Sequence, residues 1–251
     1  PGEHAERRDL MTTPTTWSAA TGQQLLTRYG IVTREAASAE SLPGGFTAIH
    51  DVFRTLEESG RIRRGYFVNG VGAMQFAMPA AVDALRALRT PPEEPEVAVL
   101  SATDPANPYG ALVKWPEPPP GASGRGPTRS VGARVVLVDG HLAAWLARGL
   151  RSLLVWLPEH DPDRTRHATA LTSALLMTGT DPDERSAAVV LAEITGGPAL
   201  DSQVRPHLEA AGFTATSQGL QRRAPSAGPS AAVGVVAHLP RRGSVAARRT
   251  R

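Results

Sequence analysis

Residues 43–78 constrain the fold most strongly, because a helical pattern there runs directly into a two-strand pattern. Apolar residues recur at spacings of three and four in the first half, which predicts one buried helical stripe: Phe46, Ile49, Val52, Phe53 and Leu56. Gly60 follows as the left-handed residue that ends the helix. Apolar residues then alternate with arginines up to Asn69-Gly70, a turn dipeptide typical of a β-hairpin, and residues 73–78 return. A helix that leads into a hairpin wing is typical of a module that reads nucleic acid.

The predicted wing carries three arginines, Arg61, Arg63 and Arg64. Arginine forks match phosphate oxygens, so these side chains are candidate phosphate contacts; a solvated strand edge is the alternative. Tyr66 and Phe67 follow, and either ring is able to stack on a base, with packing in the core as the alternative. Because side chains alternate along a strand, only one ring points outward, and we expect this to be Tyr66.

The polar face of the predicted helix adds Thr47, His50 and Arg54 as candidate DNA contacts. His50 and Arg54 lie one turn apart, where groove-reading helices place their contacts, although a plain surface helix has the same pattern. The same helix carries three acids that repel phosphate: Asp51, Glu57 and Glu58. Deep insertion into a major groove is therefore not expected, and the pattern favours binding to single strands or to the backbone.

The composition is that of an ordinary globular protein: 41% of the 251 residues are hydrophobic and 20% are charged, enough for two small domains. No apolar run approaches the roughly 20 residues needed to cross a bilayer, and residues 1–10 show no secretory signal. The chain has no cysteine, which excludes disulfides and cysteine-based zinc sites. We therefore expect a cytoplasmic protein without a membrane partner.

Positive charge is concentrated in residues 224–251, which hold five arginines and no acid. Since five of the 27 basic residues lie there, the rest of the chain has 22 basic against 24 acidic residues. The folded part is then slightly acidic, and nucleic-acid binding must come from local patches such as the wing arginines. The Ala, Ser, Gly, Pro and Arg composition of 224–251 predicts a disordered basic tail.

The order of helices, strands and breaks predicts an α+β fold with a winged-helix domain in front. Its other helices are expected at 18–29, at 34–39 with Thr33 as the cap, and at 80–89 with an apolar face. That last face consists of Val82, Leu85 and Leu88. The predicted division is linker 1–16, winged-helix domain 17–89, acidic proline-rich linker 90–96, second domain 97–223 and tail 224–251.

The second domain is predicted to be a β-barrel-like α+β domain. Strands are expected at 97–100, 111–115, 131–138, 141–147 and 151–157. Asp139-Gly140 and Arg148-Gly149 are predicted hairpin turns, which makes the last three strands a meander. Segment 116–128 is too rich in Pro and Gly to pack, so a mobile loop is expected. The predicted remainder is a helix capped by Asp161, a strand at 188–194, a helix at 201–211 and a strand at 213–220.

Several stretches, taken together and in this order, are similar to one known family: PGGF, LEESGRIRRGYF, GAMQFAMPAAVDALR, LSATDPANPYGA, VLVDGHLAAWLARG and GFTATSQGLQRR. Over about 17–223 the chain resembles the C-terminal region of the bacterial large helicase-related proteins, Lhr. These are superfamily 2 ATP-dependent DNA helicases linked to DNA repair. The resemblance implies a winged helix followed by a β-barrel module, close to single-stranded DNA.

The helicase motor is not present in this sequence. A P-loop needs G-x-x-x-x-G-K-[S/T] to hold phosphates, yet the single lysine is Lys114 in ALVKWP. The Asp183-Glu184 pair is not followed by a helicase box. We therefore expect no cofactor, no ATP hydrolysis by this chain, and single-stranded DNA as the partner. Self-association, or docking to a helicase motor, is an alternative function.

A metal site is not predicted, although one group of ligand-like residues stands out: Glu159, His160, Asp161, Asp163 and His167. Helix capping explains its acids more simply than a metal does. Asp104 is a possible catalytic acid, but an aspartate before proline in a tight turn usually bonds its own backbone.

Removal of damaged bases is the enzymatic alternative. Winged-helix DNA glycosylases resemble this family and use a Gln-x-Gln motif or a close variant. The glutamines here are isolated: Gln75, Gln203, Gln218 and Gln221. A glycosylase is therefore suggested by resemblance alone, and no catalytic residue is predicted.

Overall fold

The computed structural model describes residues 14–72, 74–122, 126–177 and 189–222. The amino-terminal elements are α1 (Pro14–Tyr29), β1 (Ile31–Val32), α2 (Arg34–Ala39), α3 (Thr47–Glu58), β2 (Arg63–Gly65), β3 (Gln75–Ala77) and α4 (Pro79–Ala87). The three strands form one antiparallel sheet in the order β1-β3-β2. This is the predicted winged helix. Its first helix begins at Pro14, inside the segment predicted as a linker.

One apolar cluster joins the helices to the wing: Leu25, Leu26, Val32, Ala37, Phe46, Ile49, Phe53, Ile62 and Phe76. The ring of Phe53 on α3 lies 5.2 Å from that of Phe76 on β3 and 6.1 Å from that of Phe46. The predicted stripe is confirmed for Phe46, Ile49 and Phe53, which are buried, while its other two residues are half-buried. Each buried large apolar side chain contributes about 1.5–3 kcal/mol, so this cluster fixes the wing strands against α3.

Thr33 and Gly60 lie at the helix ends where the sequence predicts them. Ala36 N–H donates to Oγ1 of Thr33 (3.2 Å), which satisfies a donor at the start of α2. Gly60 has φ +73° and donates its N–H to the Glu57 carbonyl (2.8 Å). The chain leaves α3 through this left-handed residue and enters β2 directly.

Helix α4 buries less than predicted. Val82 is buried, but Leu85 is exposed and Leu88 is 72% exposed, so the apolar stripe expected over 80–89 is wrong beyond Val82. The helix contacts the winged helix at its start, where Met78 N–H donates to the Gly30 carbonyl (3.0 Å). Its last turn instead lines a groove shared with the following linker.

The second domain contains β4 (Val97–Ser101), β5 (Arg134–Val138), β6 (His141–Leu146), β7 (Ser152–Val155), α5 (Asp163–Met177), β8 (Val189–Leu191), β9 (Glu193–Ile194), β10 (Gly197–Pro198), a 3-10 turn (Ala199–Asp201), α6 (Arg205–Ala210), β11 (Thr214–Thr216) and β12 (Gly219–Arg222). Six strands form a sheet in the order β10-β9-β7-β6-β5-β4, and three form a second sheet, β11-β12-β8. Among the described residues β4 and β10 are edges, so the larger sheet is open and not a closed barrel.

The predicted meander is confirmed in β5, β6 and β7, which pair antiparallel in sequence order. Asp139 (φ +50°) and Gly140 (φ +78°) form its first turn. In its second turn the left-handed residues are Gly149 and Leu150, one position later than predicted. Helix α5 buries the four side chains expected of it: Ala168, Leu171, Ala174 and Leu175.

Three strand predictions are wrong because turns interrupt the apolar runs. Residues 111–115 form a turn in which the Pro108 carbonyl accepts from Leu112 and Val113 N–H, each at 2.9 Å. Segment 188–194 divides into β8 and β9, which join different sheets. Segment 213–220 is a hairpin, since β11 and β12 pair with each other around a turn before Gly219.

The proline-rich segment 116–128 is predicted to be unable to pack, and its described residues contradict this. The indole N–H of Trp156 donates to the Glu117 carbonyl (2.8 Å), and that of Trp145 donates to the Thr128 carbonyl (3.1 Å). Arg129 follows and donates to four backbone carbonyls, those of Thr103, Asp104, Asn107 and Tyr109. Side-chain donors thus satisfy backbone that no sheet pairs.

Residues 90–96, the predicted linker, are docked onto the second domain. Arg166 Nη2 donates to the Pro92 carbonyl (2.8 Å), and Glu96 N–H donates to Asp139 Oδ1 (2.8 Å). Arg166 also bonds the other oxygen of Asp139, which joins the two contacts. No helix within the described ranges is long and apolar enough to span a membrane. The predicted tail and Asp183-Glu184 lie outside those ranges.

Candidate nucleic-acid interface

The wing is wider than a two-residue hairpin. Gly65 at the end of β2 pairs with Gln75 at the start of β3, so residues 66–74, here called the wing loop, connect two three-residue strands. Gly70 has φ +79°, but Asn69 is not left-handed. The chain therefore turns at Asn69-Gly70 as predicted, but not as a tight two-residue hairpin, because the strand pairing ends well before it.

A buried side chain organises the wing loop. Gln75 is 0% exposed, and its Oε1 accepts from the N–H groups of Phe67 and Val68, both at 2.8 Å. Its Nε2 donates to the carbonyls of Val68 (2.8 Å) and Gly72 (3.0 Å). The amide therefore replaces, from inside the loop, the backbone ladder that the short strands lack.

Glu35 anchors the other end of the loop to α2. Gly72 N–H donates to its Oε1 at 3.0 Å. Burial alone raises the pKa of Glu35, but hydrogen bonds from its own backbone N–H, from Thr33 and from Gly72 outweigh it, so the pKa lies below the usual value. The carboxylate is thus the stable form in this contact at neutral pH.

The wing loop exposes the ring of Tyr66 and partly buries that of Phe67. Tyr66 is 62% exposed, and Met74 beside the loop's end is also exposed. Phe67 is half-buried and its ring lies over Gly65, where an added Cβ would meet it at 2.8 Å. Of the two candidate stacking residues, the structure therefore leaves Tyr66 available at the surface.

The arginines of the candidate site differ in their partners. Arg64 lies 3.2 Å from Glu57 and Arg54 lies 3.7 Å from Glu58, both as ion pairs. Arg61 and Arg63 are exposed and have no ion pair with any residue that the structure describes. Pairing reduces the positive field of the first two, so Arg61 and Arg63 are better placed to neutralise phosphate.

The helix side of the predicted site contributes little unpaired charge. His50 is 33% exposed; its ring lies 6.1 Å from that of Phe46 and 6.2 Å from that of Phe76, and its Nδ1 is 3.7 Å from Asp51. Thr47 is exposed at the first position of α3. The face of α3 is therefore largely self-neutralised, and the wing carries the unpaired groups.

The other acids that the sequence singles out have local roles. Asp161 Oδ1 accepts from Thr165 Oγ1 (2.6 Å) and Thr165 N–H (3.0 Å), and these bonds lower the pKa of Asp161. Asp104 Oδ1 accepts from Ala106 N–H (2.8 Å), the turn contact expected of it. In the part of the chain that the structure describes, no group of three or more side chains is arranged to hold a metal ion.

Sequence reasoning missed a groove of about 820 Å³ between the linker and the second domain. It is lined by Leu88, Pro92, His141, Trp156, Asp163 and Arg166, among others. Its walls come from segments far apart in the chain, so the sequence does not show that they meet. Asp139, also in the lining, is bonded to Arg166 and to the Glu96 N–H. Asp163 and His141 are exposed to solvent.

The fold and the site together define a winged-helix protein whose wing presents exposed arginines and a tyrosine. Residues 11–97 match the model of the winged-helix domain of large helicase-related protein. The chain is 40% identical over 210 residues to "Lhr helicase/ probable uracil glycosylase" of Mycolicibacterium smegmatis (strain ATCC 700084 / mc(2)155), covering 79% of this chain and 13% of that protein. It is 38% identical over 204 residues to "Lhr helicase/uracil glycosylase" of Escherichia coli (strain K12), covering 80% of this chain and 13% of that protein.

The chain therefore belongs to the large helicase-related (Lhr) family. It spans about 13% of the length of the curated relatives it matches. The sequence resemblance is thus confirmed, and it concerns a segment equivalent to one part of a much longer protein.

Proposed function

We propose that this chain binds single-stranded DNA through its wing, with Arg61 and Arg63 on phosphates and Tyr66 stacked on a base. The observation that carries the proposal is the exposed Tyr66 that follows, along the wing, two exposed arginines with no ion pair to any described residue. On this proposal Arg64, Arg54, Thr47 and His50 flank the same contact. Arg64 and Arg54 contribute less because acids already pair with them.

Single strands are favoured over duplex for two physical reasons. The π-face of a base is available to a tyrosine ring only where the base is unpaired or at an end, and such stacking contributes about 1–3 kcal/mol per base. The acids of α3, namely Asp51, Glu57 and Glu58, oppose insertion of that helix between two phosphate backbones. Both reasons point to a strand that runs along the wing.

The test is a salt titration of binding to a fluorescent single-stranded oligonucleotide. Two neutralised phosphates predict a log–log slope of about −1.4, from about −0.7 per phosphate on single strands. The double variant Arg61→Ala, Arg63→Ala should bring the slope close to zero. Arg54→Ala is the matched control, since Glu58 pairs with that arginine, and it should retain most of the slope. Equal slopes for wild type and the double variant would show that the wing does not hold phosphate.

The wider assignment belongs to the same proposal. We propose two domains, 14–89 and 97–223, joined by 90–96; the first starts at Pro14 and not at the predicted residue 17, because α1 begins there. We also propose a role in DNA repair beside a helicase motor and a cytoplasmic location. The relatives, whose names describe Lhr helicases, support the helicase part of this proposal. The present sequence contains no P-loop, so we expect purified protein to show no DNA-stimulated ATP hydrolysis.

A second candidate is excision of uracil, because both relatives carry uracil glycosylase in their names. A flipped base needs a pocket with an aromatic wall and a carboxylate or histidine to support cleavage of the glycosidic bond. The groove beside the linker offers Trp156 with the exposed Asp163 and His141. On this proposal Asp163 supplies the carboxylate.

An oligonucleotide with one uracil, treated with alkali after incubation, tests this candidate. Strand cleavage that depends on uracil is expected from wild type and not from Asp163→Asn. Glu159→Gln, four positions earlier and outside the lining, is the control and should cleave like wild type. Absence of cleavage by wild type would eliminate the candidate without affecting the DNA-binding proposal.

A further inference from the structure

We infer that Gln75 is the positioning residue of the wing: its buried amide holds Tyr66 in the binding geometry before DNA arrives. The inference rests on the proposed DNA contact of Tyr66 and names the group that sets its position. In the sequence Gln75 is an isolated polar residue with no motif around it. In the structure it is fully buried between the two ends of the wing loop.

The four hydrogen bonds of Gln75 bracket the loop. Its Oε1 accepts from the N–H groups of Phe67 and Val68, the two residues after Tyr66. Its Nε2 donates to the carbonyls of Val68 and Gly72. The amide uses both hydrogens of Nε2 and both acceptor positions of Oε1, so its hydrogen-bonding capacity is complete. A side chain that lacks both functions of the amide leaves partly buried backbone donors and acceptors unpaired.

The strands alone do not fix the loop. Register runs only from Arg63 with Ala77 to Gly65 with Gln75, and the loop begins at the next residue. The bond from Gly72 N–H to Glu35 ties the loop's far side to α2. Glu35 therefore holds the loop only at Gly72, whereas Gln75 bonds Gly72 and also Phe67, the residue that follows Tyr66.

This arrangement affects affinity as well as stability. A loop that is already ordered loses little conformational entropy when a base stacks on its tyrosine, whereas a loose loop must be ordered at the moment of binding. Loss of the Gln75 bonds should therefore weaken DNA binding through Tyr66 in particular. It should leave the phosphate contacts of Arg61 and Arg63, which precede the loop, in place.

A double-mutant cycle on the full chain tests the inference, with single-stranded oligonucleotide binding as the readout. Tyr66→Ala should weaken binding by about tenfold, the loss of one stacked base. Gln75→Met, of similar length but unable to accept from Phe67 and Val68, should weaken it by a similar factor. The double variant should lose no more than either single variant, because Gln75 acts through Tyr66.

Amide hydrogen exchange provides the second readout. In Gln75→Met the N–H groups of Phe67 and Val68 should exchange faster than in wild type, while Tyr66→Ala should leave them protected. If Gln75→Met does not fold, Gln75→Glu takes its place in the binding cycle. It loses both donating bonds, so binding should still weaken, but it keeps both accepting bonds, so the amides of Phe67 and Val68 should stay protected. Glu35→Gln is the matched control at the other end of the loop and should keep these two amides protected.

The outcomes separate the two proposals. Two results would overturn the role of Gln75 and leave the stacking proposal intact. One is that the losses in the cycle are additive. The other is that Gln75→Met binds like the wild type while Tyr66→Ala binds more weakly. Unchanged binding by Tyr66→Ala would overturn the proposed stacking and with it this inference. Gln75→Met should keep the salt slope of the wild type, because the phosphate contacts of Arg61 and Arg63 do not depend on Gln75.

Discussion

At the scale of single residues, Asp139 shows how one side chain serves both a turn and a distant segment. It takes the left-handed conformation in the β5–β6 turn, and its carboxylate accepts from Arg166 and from the Glu96 amide. Burial alone raises the pKa of Asp139, but these bonds and the charge of Arg166 lower it below the usual value. The ionised form is therefore stabilised by folding.

This pKa predicts a pH dependence of stability. A carboxyl whose pKa is lower in the folded chain contributes stability above its unfolded value, about 3.9, and that contribution is lost as the pH falls through the folded value. Asp139→Asn should therefore reduce the free energy of unfolding at pH 7 by about 1–3 kcal/mol. The gap between variant and wild type should narrow below pH 4. Thermal midpoints between pH 7 and pH 3 measure this, with the exposed Glu159→Gln as control; a gap that widens in acid contradicts the prediction.

At the scale of elements, β12 approaches β8 so closely that only glycine fits at its first position. Gly219 has φ +121°, and an added Cβ would lie 2.1 Å from the Leu191 carbonyl oxygen. The backbone of β8 cannot retreat, because it pairs with β12 along its length. The turn before Gly219, and not the apolar run 213–220, therefore decides where β11 ends.

Three glycine-to-alanine variants separate the cost of a positive φ from the cost of a clash between the added Cβ and the backbone. Gly126→Ala meets no described atom within 4 Å and has no positive φ, so its effect on stability should be small. Gly212→Ala adds only left-handed backbone strain, about 1–2 kcal/mol. Gly219→Ala adds a backbone collision and should cost more than Gly212→Ala. Denaturant unfolding gives the order, and an equal cost for the last two would show that β8 yields.

At the scale of the whole molecule, the docked linker decides how the winged helix and the second domain are connected. A segment of composition TPPEEPE suggests an independent spacer. Arg166 and Asp139 instead bind it at Pro92 and Glu96. The groove beside it is lined by Leu88 of the winged helix and by the residues that make these contacts.

Arg166→Met should release the linker while leaving the apolar clusters of both domains intact. The Glu96 amide should exchange faster, and cleavage by an endoprotease specific for glutamate should accelerate after Glu96. Arg148→Met is the control, since Arg148 is exposed and lies outside the linker contacts. A linker that stays protected in Arg166→Met would show that Asp139 alone suffices to dock it.

The sequence by itself determined the features whose causes lie within a few residues. The apolar stripe of α3, its end at Gly60, the Thr33 cap and the Asp139-Gly140 turn depend on local periodicity and on backbone conformations that particular residues favour. The family resemblance also followed from ordered motifs. These features were predicted correctly because neighbours along the chain supply the interactions.

Only the tertiary structure decided which groups are paired and which remain available. Gln75 closes the wing loop, Glu57 and Glu58 occupy Arg64 and Arg54, and two tryptophans hold the segment expected to be mobile. Each of these contacts joins polar groups that meet only after the chain has folded, and buried polar groups must find partners wherever the fold places them. Periodicity shows which side chains face inward, but it does not show which donor meets which acceptor there.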